Sequence, residues 1–213
     1  MNRSLVAGHV LLTGLAGLVA LTGCRSTPPD PRELDAEDYP GVLREAGTLG
    51  IDLMCRQRVT ASWGEERSRS FEAVLQKQSD ELVLLGLSPL GQVGFVLKLH
   101  DGEVSFENRT EVELPFPARF ILLDVQRAFY PWLAEGRLDG VVDGERVVER
   151  RDEGRLVERS FARVDERPPG RIVVRYEAYE DGRVIPGRVE IDNGWFGYCL
   201  TVETFEEQLL PEH

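Results

Sequence analysis

The three cysteines are the most reactive side chains of this sequence, and Cys24 lies in a setting that suits one specific modification. An apolar stretch over residues 5–21 contains no acidic residue, follows the basic Arg3 and ends in the letters LTGC. A segment this short that ends at small residues is typical of a cleaved secretory signal rather than a membrane span. A thiol directly after the cleavage site can take a diacylglyceryl group through a thioether. We therefore expect residues 1–23 to be removed and Cys24 to be lipidated.

The letters LTGC resemble the lipobox of bacterial lipoproteins, which implies that fatty acyl chains such as palmitate hold the protein to a membrane. Two or more chains give stable anchoring, because each buried methylene contributes about 0.8 kcal/mol. The residue after the cysteine is Arg25, not the aspartate that retains enterobacterial lipoproteins in the inner membrane. The resemblance therefore predicts a lipid-anchored protein of the outer membrane that faces the periplasm.

Residues suited to catalysis are sparse in the rest of the chain. After residue 23 the histidines are His100 and His213, and the sequence has no G-x-S-x-G elbow and no glycine-rich phosphate loop. The carboxylates of the run ERRDEGRLVER are most simply a solvated strand face with cross-strand ion pairs. They are Glu149, Asp152, Glu153 and Glu158. A hydrolase with a pair of carboxylates is the enzymatic alternative, and we predict no enzyme, no metal site and no cofactor.

Charge and the remaining cysteines limit the partners further. The formal net charge is −12 and becomes −13 when the segment with Arg3 is removed, which argues against nucleic acid as a partner. Cys55 and Cys199 are too few for a zinc signature. The oxidising compartment permits a disulfide between them, but the sequence does not supply the Cα separation that a disulfide requires. The sequence is therefore compatible both with a disulfide between Cys55 and Cys199 and with two free thiols.

Turn signals divide residues 41–213 into short segments, which we treat as one domain behind a proline-rich, acidic tether at residues 24–40. Turn signals such as Asp101-Gly102, Asp143-Gly144 and Glu153-Gly154 follow one another every ten or so residues, and Asp-Gly and Asn-Gly pairs favour tight hairpins. Between them apolar and polar residues alternate: Leu97 and Leu99 share one face of a predicted strand, and Lys98 and His100 share the other. Period-two alternation gives a strand one dry and one wet face. The pattern predicts a mainly β (α+β) chain with one large antiparallel sheet or an open barrel.

One segment has helical spacing instead. Between Pro117 and Leu133 the apolar residues recur three or four positions apart, and Pro131 is expected to end the helix near its last turn. A single amphipathic helix among strands needs a partner for its apolar side, and the inner side of the sheet is the obvious one. Plugging the core is the simpler alternative role.

The order of these parts resembles LolB, the outer-membrane lipoprotein receptor, and a family of bacterial lipoproteins with a LolB-like fold. The hairpin "LVLLGLSPLGQVGF", the helix "FILLDVQRAFYPWL" and the tail "IPGRVEIDNGWFGYCLTVETF" carry the resemblance together with LTGC. It implies a half-open antiparallel β-barrel of about ten strands with a helical lid, LolA/LolB-like, around an apolar cavity. The implied partners are the membrane, the acyl chains of lipoproteins or lipids, and a periplasmic LolA-type carrier. The proline-rich segment before the first strand departs from the receptor, which has a helix there.

The turn that contains Pro89, Leu90 and Gly91 is the most distinctive part of this resemblance. The receptor has Pro-Leu-Gly in its turn, and its protruding leucine helps to transfer lipoproteins into the membrane, so the matching residue here is Leu90. The alternative is an ordinary turn with a lone exposed leucine. The implied cavity would be lined from the strands and the helix, with ordinary core packing as the alternative for each candidate. The candidates are Leu53, Phe71, Leu75, Leu84, Phe95, Leu97, Phe120, Val125, Phe129 and Trp132.

Three functional hypotheses follow. The leading one is a lipoprotein that binds acyl chains and aids delivery of lipoproteins or lipids to the outer membrane. The second is a non-catalytic scaffold or interaction module with a filled core, and the third is a hydrolase. An interior void lined by apolar atoms would favour the first, a solid core the second, and polar groups that converge in a cleft the third.

Overall fold

The computed structural model describes residues 39–63, 67–110, 117–165 and 170–211. These ranges contain eleven strands, one α-helix and a 3-10 turn at Ala46–Leu49. The strands are β1 (Leu53–Trp63), β2 (Arg67–Gln78), β3 (Glu81–Leu87), β4 (Val93–His100), β5 (Glu103–Asn108), β6 (Asp139–Val142), β7 (Glu145–Asp152), β8 (Arg155–Arg163), β9 (Arg171–Glu177), β10 (Arg188–Asn193) and β11 (Tyr198–Leu209). The helix, α1, is Ala118–Phe129.

All eleven strands form one antiparallel sheet in the order β5-β4-β3-β2-β1-β11-β10-β9-β8-β7-β6. The first and last strands of the chain pair at its centre, from Leu53 opposite Leu209 to Trp63 opposite Tyr198. We call β1–β5 the N-terminal wing and β6–β11 the C-terminal wing. In the described residues β5 and β6 are the free edges, so the sheet stays open. The predicted mainly β, half-open antiparallel architecture is confirmed.

Three of the predicted hairpin turns have the backbone that their residue types favour. Asp101-Gly102, Asp143-Gly144 and Glu153-Gly154 each join consecutive strands through two residues, and both residues of each pair have positive φ. Two positive φ values match the right-handed twist of the flanking strands, and glycine takes such values without steric cost. These local signals set the register of β4–β5, β6–β7 and β7–β8.

Helix α1 lies in the chain between β5 and β6, the two edge strands, and packs against one face of the sheet, which we call the inner face. The helix ends at Phe129, and the next residue, Tyr130, is already extended, because Pro131 cannot continue the helical hydrogen bonds. The indole of Trp132 then donates to the carbonyl of Gln126 at 2.9 Å. The predicted helix is therefore confirmed, with its end at the proline.

Two core clusters lie on the inner face, one on each side of α1. Phe120 and Leu123 of the helix pack with the C-terminal wing, in a cluster that includes Phe161 and Trp195. Leu122 packs with the N-terminal wing, against β2, β3 and β4. The helix therefore fastens the two wings to each other.

The predicted signal segment, Cys24 and the tether as far as residue 38 lie outside the described residues. Tyr39 and Pro40, at the end of the predicted tether, are buried. No helix in the described part of the chain has the length and apolar character needed to cross a membrane.

Candidate functional site

An apolar cavity of about 170 Å³ lies between α1 and the central strands of the sheet. Its floor is a series of cross-strand pairs between β1 and β2, which run from Gln57–Ala73 through Val59–Phe71 towards Trp63. Its roof is the helix, and β3, β4, β10 and β11 contribute the sides. The complete lining is Gln57, Val59, Ala61, Trp63, Phe71, Ala73, Leu84, Phe95, Ile121, Asp124, Val125, Ala128, Phe129, Ile191, Tyr198, Leu200 and Val202.

Five of the ten predicted lining residues belong to this cavity: Phe71, Leu84, Phe95, Val125 and Phe129. They come from β2, β3, β4 and α1. The structure therefore brings together about half of the predicted set.

The other five predicted residues lie in the packed core instead, and the prediction is corrected for them. Leu75 and Leu97 are fully buried in the N-terminal wing cluster, where they pair on either side of Leu84, which does line the cavity. Leu53 packs with Cys55 and Ile185 in a third cluster. The remaining two, Phe120 and Trp132, pack with the C-terminal wing.

Small side chains leave the space that forms the cavity, and none of them is among the predicted lining residues. Ala61 and Ala73 leave space on the floor, and Ala128 leaves it in the roof. At Gly86 the ring of Phe95 lies where a side chain would be, with a ring carbon only 2.0 Å from an added Cβ. The one available signal was the appearance of alanine and glycine at inward positions of otherwise apolar strands.

A larger groove of about 940 Å³ continues from the cavity towards the end of the sheet. Ala61, Trp63, Phe71 and Phe95 line both spaces, so the two are contiguous. The groove then passes between β2 and β5 and reaches the loop after β3 at Ser88 and Pro89. An apolar ligand thus has a path from the surface to the interior.

The turn at the mouth of this groove has the predicted geometry. The amide of Gly91 donates to the carbonyl of Ser88 at 2.8 Å, which fixes Pro89 and Leu90 as the two central residues. Gly91 itself has φ +75°, a value that favours glycine. Leu90 is 86% exposed, the largest value among the exposed apolar side chains of the described residues.

A buried polar network fixes the roof of the cavity. The carboxylate of Asp124, on α1, accepts hydrogen bonds from the hydroxyls of Tyr39 (3.0 Å) and Tyr198. Asn193 donates to both of these hydroxyls, at 2.6 and 2.9 Å. Burial raises the pKa of Asp124, and the charge of Arg127 together with the two hydroxyls works in the opposite direction. The network uses the polar atoms at this wall, so the cavity itself presents mainly carbon.

Arg127 is fully buried one helical turn further along and links α1 to the C-terminal wing. Its guanidinium lies 3.2 Å from Glu145 and 3.4 Å from Asp124, and it also donates to the carbonyl of Pro40 at 2.6 Å. Burial raises the pKa of Glu145, and Arg127 opposes that shift. A charge removed from water is tolerated only with such partners.

A second buried ion pair holds the carboxyl end of the helix. Arg159 lies 2.8 Å from Glu149 and donates to the carbonyls of Arg127 and Tyr130, at 2.8 and 2.9 Å. The sequence predicts Glu149 on a solvated strand face with cross-strand ion pairs: the pair with Arg159 across β7 and β8 is confirmed, whereas the prediction of a solvated position is wrong. Glu149 lies on the inner face of β7, between the strand and the end of α1, and is 6% exposed.

The structure excludes a disulfide between Cys55 and Cys199. Cys199 is paired with Ser62 across β1 and β11, seven positions along β1 from Cys55. At about 3.4 Å per residue that separation is roughly 24 Å, whereas a disulfide needs Cα atoms within about 7 Å. Burial raises the pKa of the Cys55 thiol to about 12.

The described residues contain no group of three or more histidine, cysteine, aspartate or glutamate side chains that could hold a metal ion. His100 is exposed next to Asp101, at 3.4 Å, and is not among the residues that line the cavity. The polar side chains of the cavity wall are engaged: Gln57 donates to Thr204 at 3.2 Å, and Asp124 accepts the bonds described above. The site is therefore suited to holding an apolar group.

Sequence comparison assigns the chain to a family. The family model described as "Protein of unknown function (DUF3261)" matches residues 54–206, which include every strand that lines the cavity. The chain belongs to this family. No curated protein sequence matches the chain at a significant level.

Several solved structures are similar to this chain. A LolA superfamily protein from Nitrosomonas europaea is 10% identical with a TM-score of 0.47, over 80% of this chain and 96% of that one. A putative outer membrane lipoprotein-sorting protein domain from Vibrio parahaemolyticus is 12% identical with a TM-score of 0.43, over 75% and 85%. A DUF1329 family protein from Desulfovibrio piger is 13% identical with a TM-score of 0.39, over 77% and 90%.

Proposed function

We propose that this protein is an outer-membrane lipoprotein that binds an acyl chain in its cavity and aids delivery of lipoproteins or lipids to that membrane. The observation that carries the proposal is the apolar cavity under α1, which continues into the groove. The LTGC motif at Cys24 supports the membrane anchor, and the sequence resemblance to LolB supports the direction of transfer.

The dimensions of the two spaces suit one extended acyl chain. From Gln57 to Trp63 the floor covers six strand steps, or roughly 20 Å, while one leaflet of a bilayer gives an acyl chain about half of a ~30 Å hydrocarbon core. The cavity alone is smaller than the 300–1,000 Å³ typical of ligand sites. We therefore infer that the end of the chain enters the cavity and that the remainder lies in the groove.

Leu90 fits the transfer step in this proposal. Its exposure forgoes about 2 kcal/mol of burial, a small amount compared with about 0.8 kcal/mol for each methylene of the cargo that must leave the cavity. A leucine at the mouth of the groove can enter the bilayer surface while the acyl chain moves out. In this proposal a periplasmic carrier of the LolA type supplies the cargo.

One observation favours the scaffold alternative. Over β7–β9 the inner face is filled by large side chains, with the rings of Trp132 and Phe161 packed edge to face at 5.0 Å. A protein that used only this half would need no ligand. The alternative predicts that filling the cavity of the other half has no functional effect.

The test is a pair of variants on neighbouring positions of β1. Ala61→Phe adds a ring where the cavity meets the groove, whereas Thr60→Phe adds the same ring on the opposite face of the strand. Displacing two methylenes of ligand costs about 1.6 kcal/mol, so Ala61→Phe should weaken binding of a fluorescent fatty acid about tenfold or more. Thr60→Phe should bind it like the wild type.

Thermal unfolding of both variants separates a blocked cavity from a damaged fold. Equal fatty-acid affinity in a folded Ala61→Phe variant would contradict the proposal. Absence of binding in the wild type would favour the scaffold alternative.

A further inference from the structure

The mouth of the groove is positively charged, although the protein as a whole is acidic. The chain carries a formal net charge of −12, yet the charged residues among the described lining of the groove are both cationic, Arg67 and Arg69. Both side chains are exposed at the start of β2. No carboxylate in the described residues forms an ion pair with either of them.

The two arginines share a strand face with the apolar floor. Arg67, Arg69, Phe71 and Ala73 alternate along β2 and line the groove or the cavity, because every second residue of a strand points to the same side. Across the strand pair, Arg67 lies opposite Trp63 and Arg69 lies opposite a cavity residue of β1. The surface therefore changes from cationic to apolar within about 14 Å along one strand.

This arrangement fits an amphipathic ligand with an anionic head. We propose that Arg67 and Arg69 bind the phosphate or carboxylate head group of a lipid whose acyl chain lies in the groove and cavity. The inference rests on the function proposed above and adds the chemical class of the ligand. Guanidinium groups form strong charge-assisted hydrogen bonds to such heads, and Trp63 beside them has the amphipathic side chain typical of membrane interfaces.

Other anionic partners fit the surface less well. Nucleic acid and acidic peptides would meet the repulsion of an acidic chain, with only two cations to offset it. The floor between the arginines and the cavity consists of rings such as Phe71, Phe95 and Phe106, which contact a hydrocarbon chain better than a polar polymer. The two features together favour a lipid.

The test uses the full chain in non-ionic detergent and two photoactivatable probes with the same alkyl chain, one with a phosphate head and one with a neutral glucosyl head. We expect the phosphate probe to bind about tenfold more tightly, since two exposed ion pairs together contribute about 1.4 kcal/mol. The Arg67→Gln/Arg69→Gln variant should lose this preference and bind the glucosyl probe as the wild type does.

A matched control changes the same charge elsewhere. Arg58→Gln/Arg150→Gln alters two exposed arginines, on β1 and β7, that are not part of the groove lining, and it should keep the preference. Circular dichroism checks that both double variants are folded.

Each other outcome overturns a different statement. Equal binding of the two probes to the wild type would overturn the head-group site and leave acyl-chain binding intact. Binding of neither probe would overturn the proposed function and this inference with it. Displacement by inorganic phosphate at the concentration of the lipid probe would identify a phosphate site and contradict the lipid.

Discussion

The two wings of the sheet are built from the same kind of antiparallel hairpins but fill their inner faces in different ways. Over β7–β9 of the C-terminal wing, large side chains such as Phe161, together with Trp132 and Trp195, occupy the space next to α1. In the N-terminal wing, Ala61 and Ala73 occupy inward positions and leave the cavity beneath the same helix. One helix therefore closes a solid core on one side and an open space on the other.

The position of the buried charges explains why the helix does not collapse into the cavity. Arg127 and Arg159 hold α1 to the C-terminal wing through Glu145, Glu149 and backbone carbonyls. A helix fixed on one side in this way is not free to move into the apolar space on the other. We infer that β7–β9 of the C-terminal wing act as the support, and that the N-terminal wing together with β10 and β11 forms the binding half.

Removal of the central arginine should have the largest effect on stability. Arg127→Met leaves Asp124 and Glu145 buried without their cation, and breaking a buried ion pair costs about 3–5 kcal/mol. Urea denaturation should show this loss in the free energy of unfolding. The control Arg146→Met removes an exposed arginine that pairs with Asp139, and it should change little. Equal losses in both variants would mean that Arg127 does not anchor the helix.

Truncation of one phenylalanine in each wing tests the contrast directly. Phe161→Ala empties a fully packed site and should cost about 3–5 kcal/mol. Phe71→Ala should cost about half as much or less, since one side of its half-buried ring already faces the cavity. Fatty-acid binding should weaken in Phe71→Ala and stay unchanged in a folded Phe161→Ala. A reversed order of the two free energies would contradict the assignment of solid and open halves.

A smaller effect is expected at the glycine beneath Phe95. Gly86→Ala forces the ring to move, because an added Cβ would lie 2.0 Å from it, and such overpacking costs about 1–3 kcal/mol. In a Phe95→Leu background the same change should cost less than half of that, which a double-mutant cycle measures. Additive effects in the cycle would show that the ring of Phe95 does not occupy the space above Gly86.

The smallest effect on stability is expected at Leu90. Leu90→Glu changes an exposed turn residue, so the free energy of unfolding should stay within about 0.5 kcal/mol of the wild type. Transfer of a bound acyl chain to vesicles should nevertheless become slower, since a charged side chain is costly to insert into a bilayer. Leu90→Met is the matched control and should transfer at the normal rate. Normal transfer by the glutamate variant would remove Leu90 from the mechanism.

The sequence predicted the strands, the turns and the helix because local chemistry specifies them. The residue types of Asp101-Gly102 favour a tight hairpin turn, and Pro131 determines where the helix ends. The lining was predicted only in part, since a cavity forms where side chains are small, and a search among large apolar residues selects Leu75 and Leu97 of the core instead of Ala61.

The buried charges were missed for a different reason. Arg127, Glu145 and Glu149 have the residue types of a protein surface, and only the packing of α1 on the assembled sheet buries them. Several partners in the polar network around them are distant in sequence, as Tyr39 and Asn193 are from Asp124. The pattern of residues along one segment does not predict contacts between residues so far apart in the sequence.

Native mass spectrometry of the full chain, released gently from detergent, tests the central claim that the cavity under α1 holds an acyl chain. The account predicts one lipid bound non-covalently to each wild-type chain and to Thr60→Phe, and its loss from Ala61→Phe. A wild-type protein that appears only at its own mass, even after incubation with lipid, would contradict it.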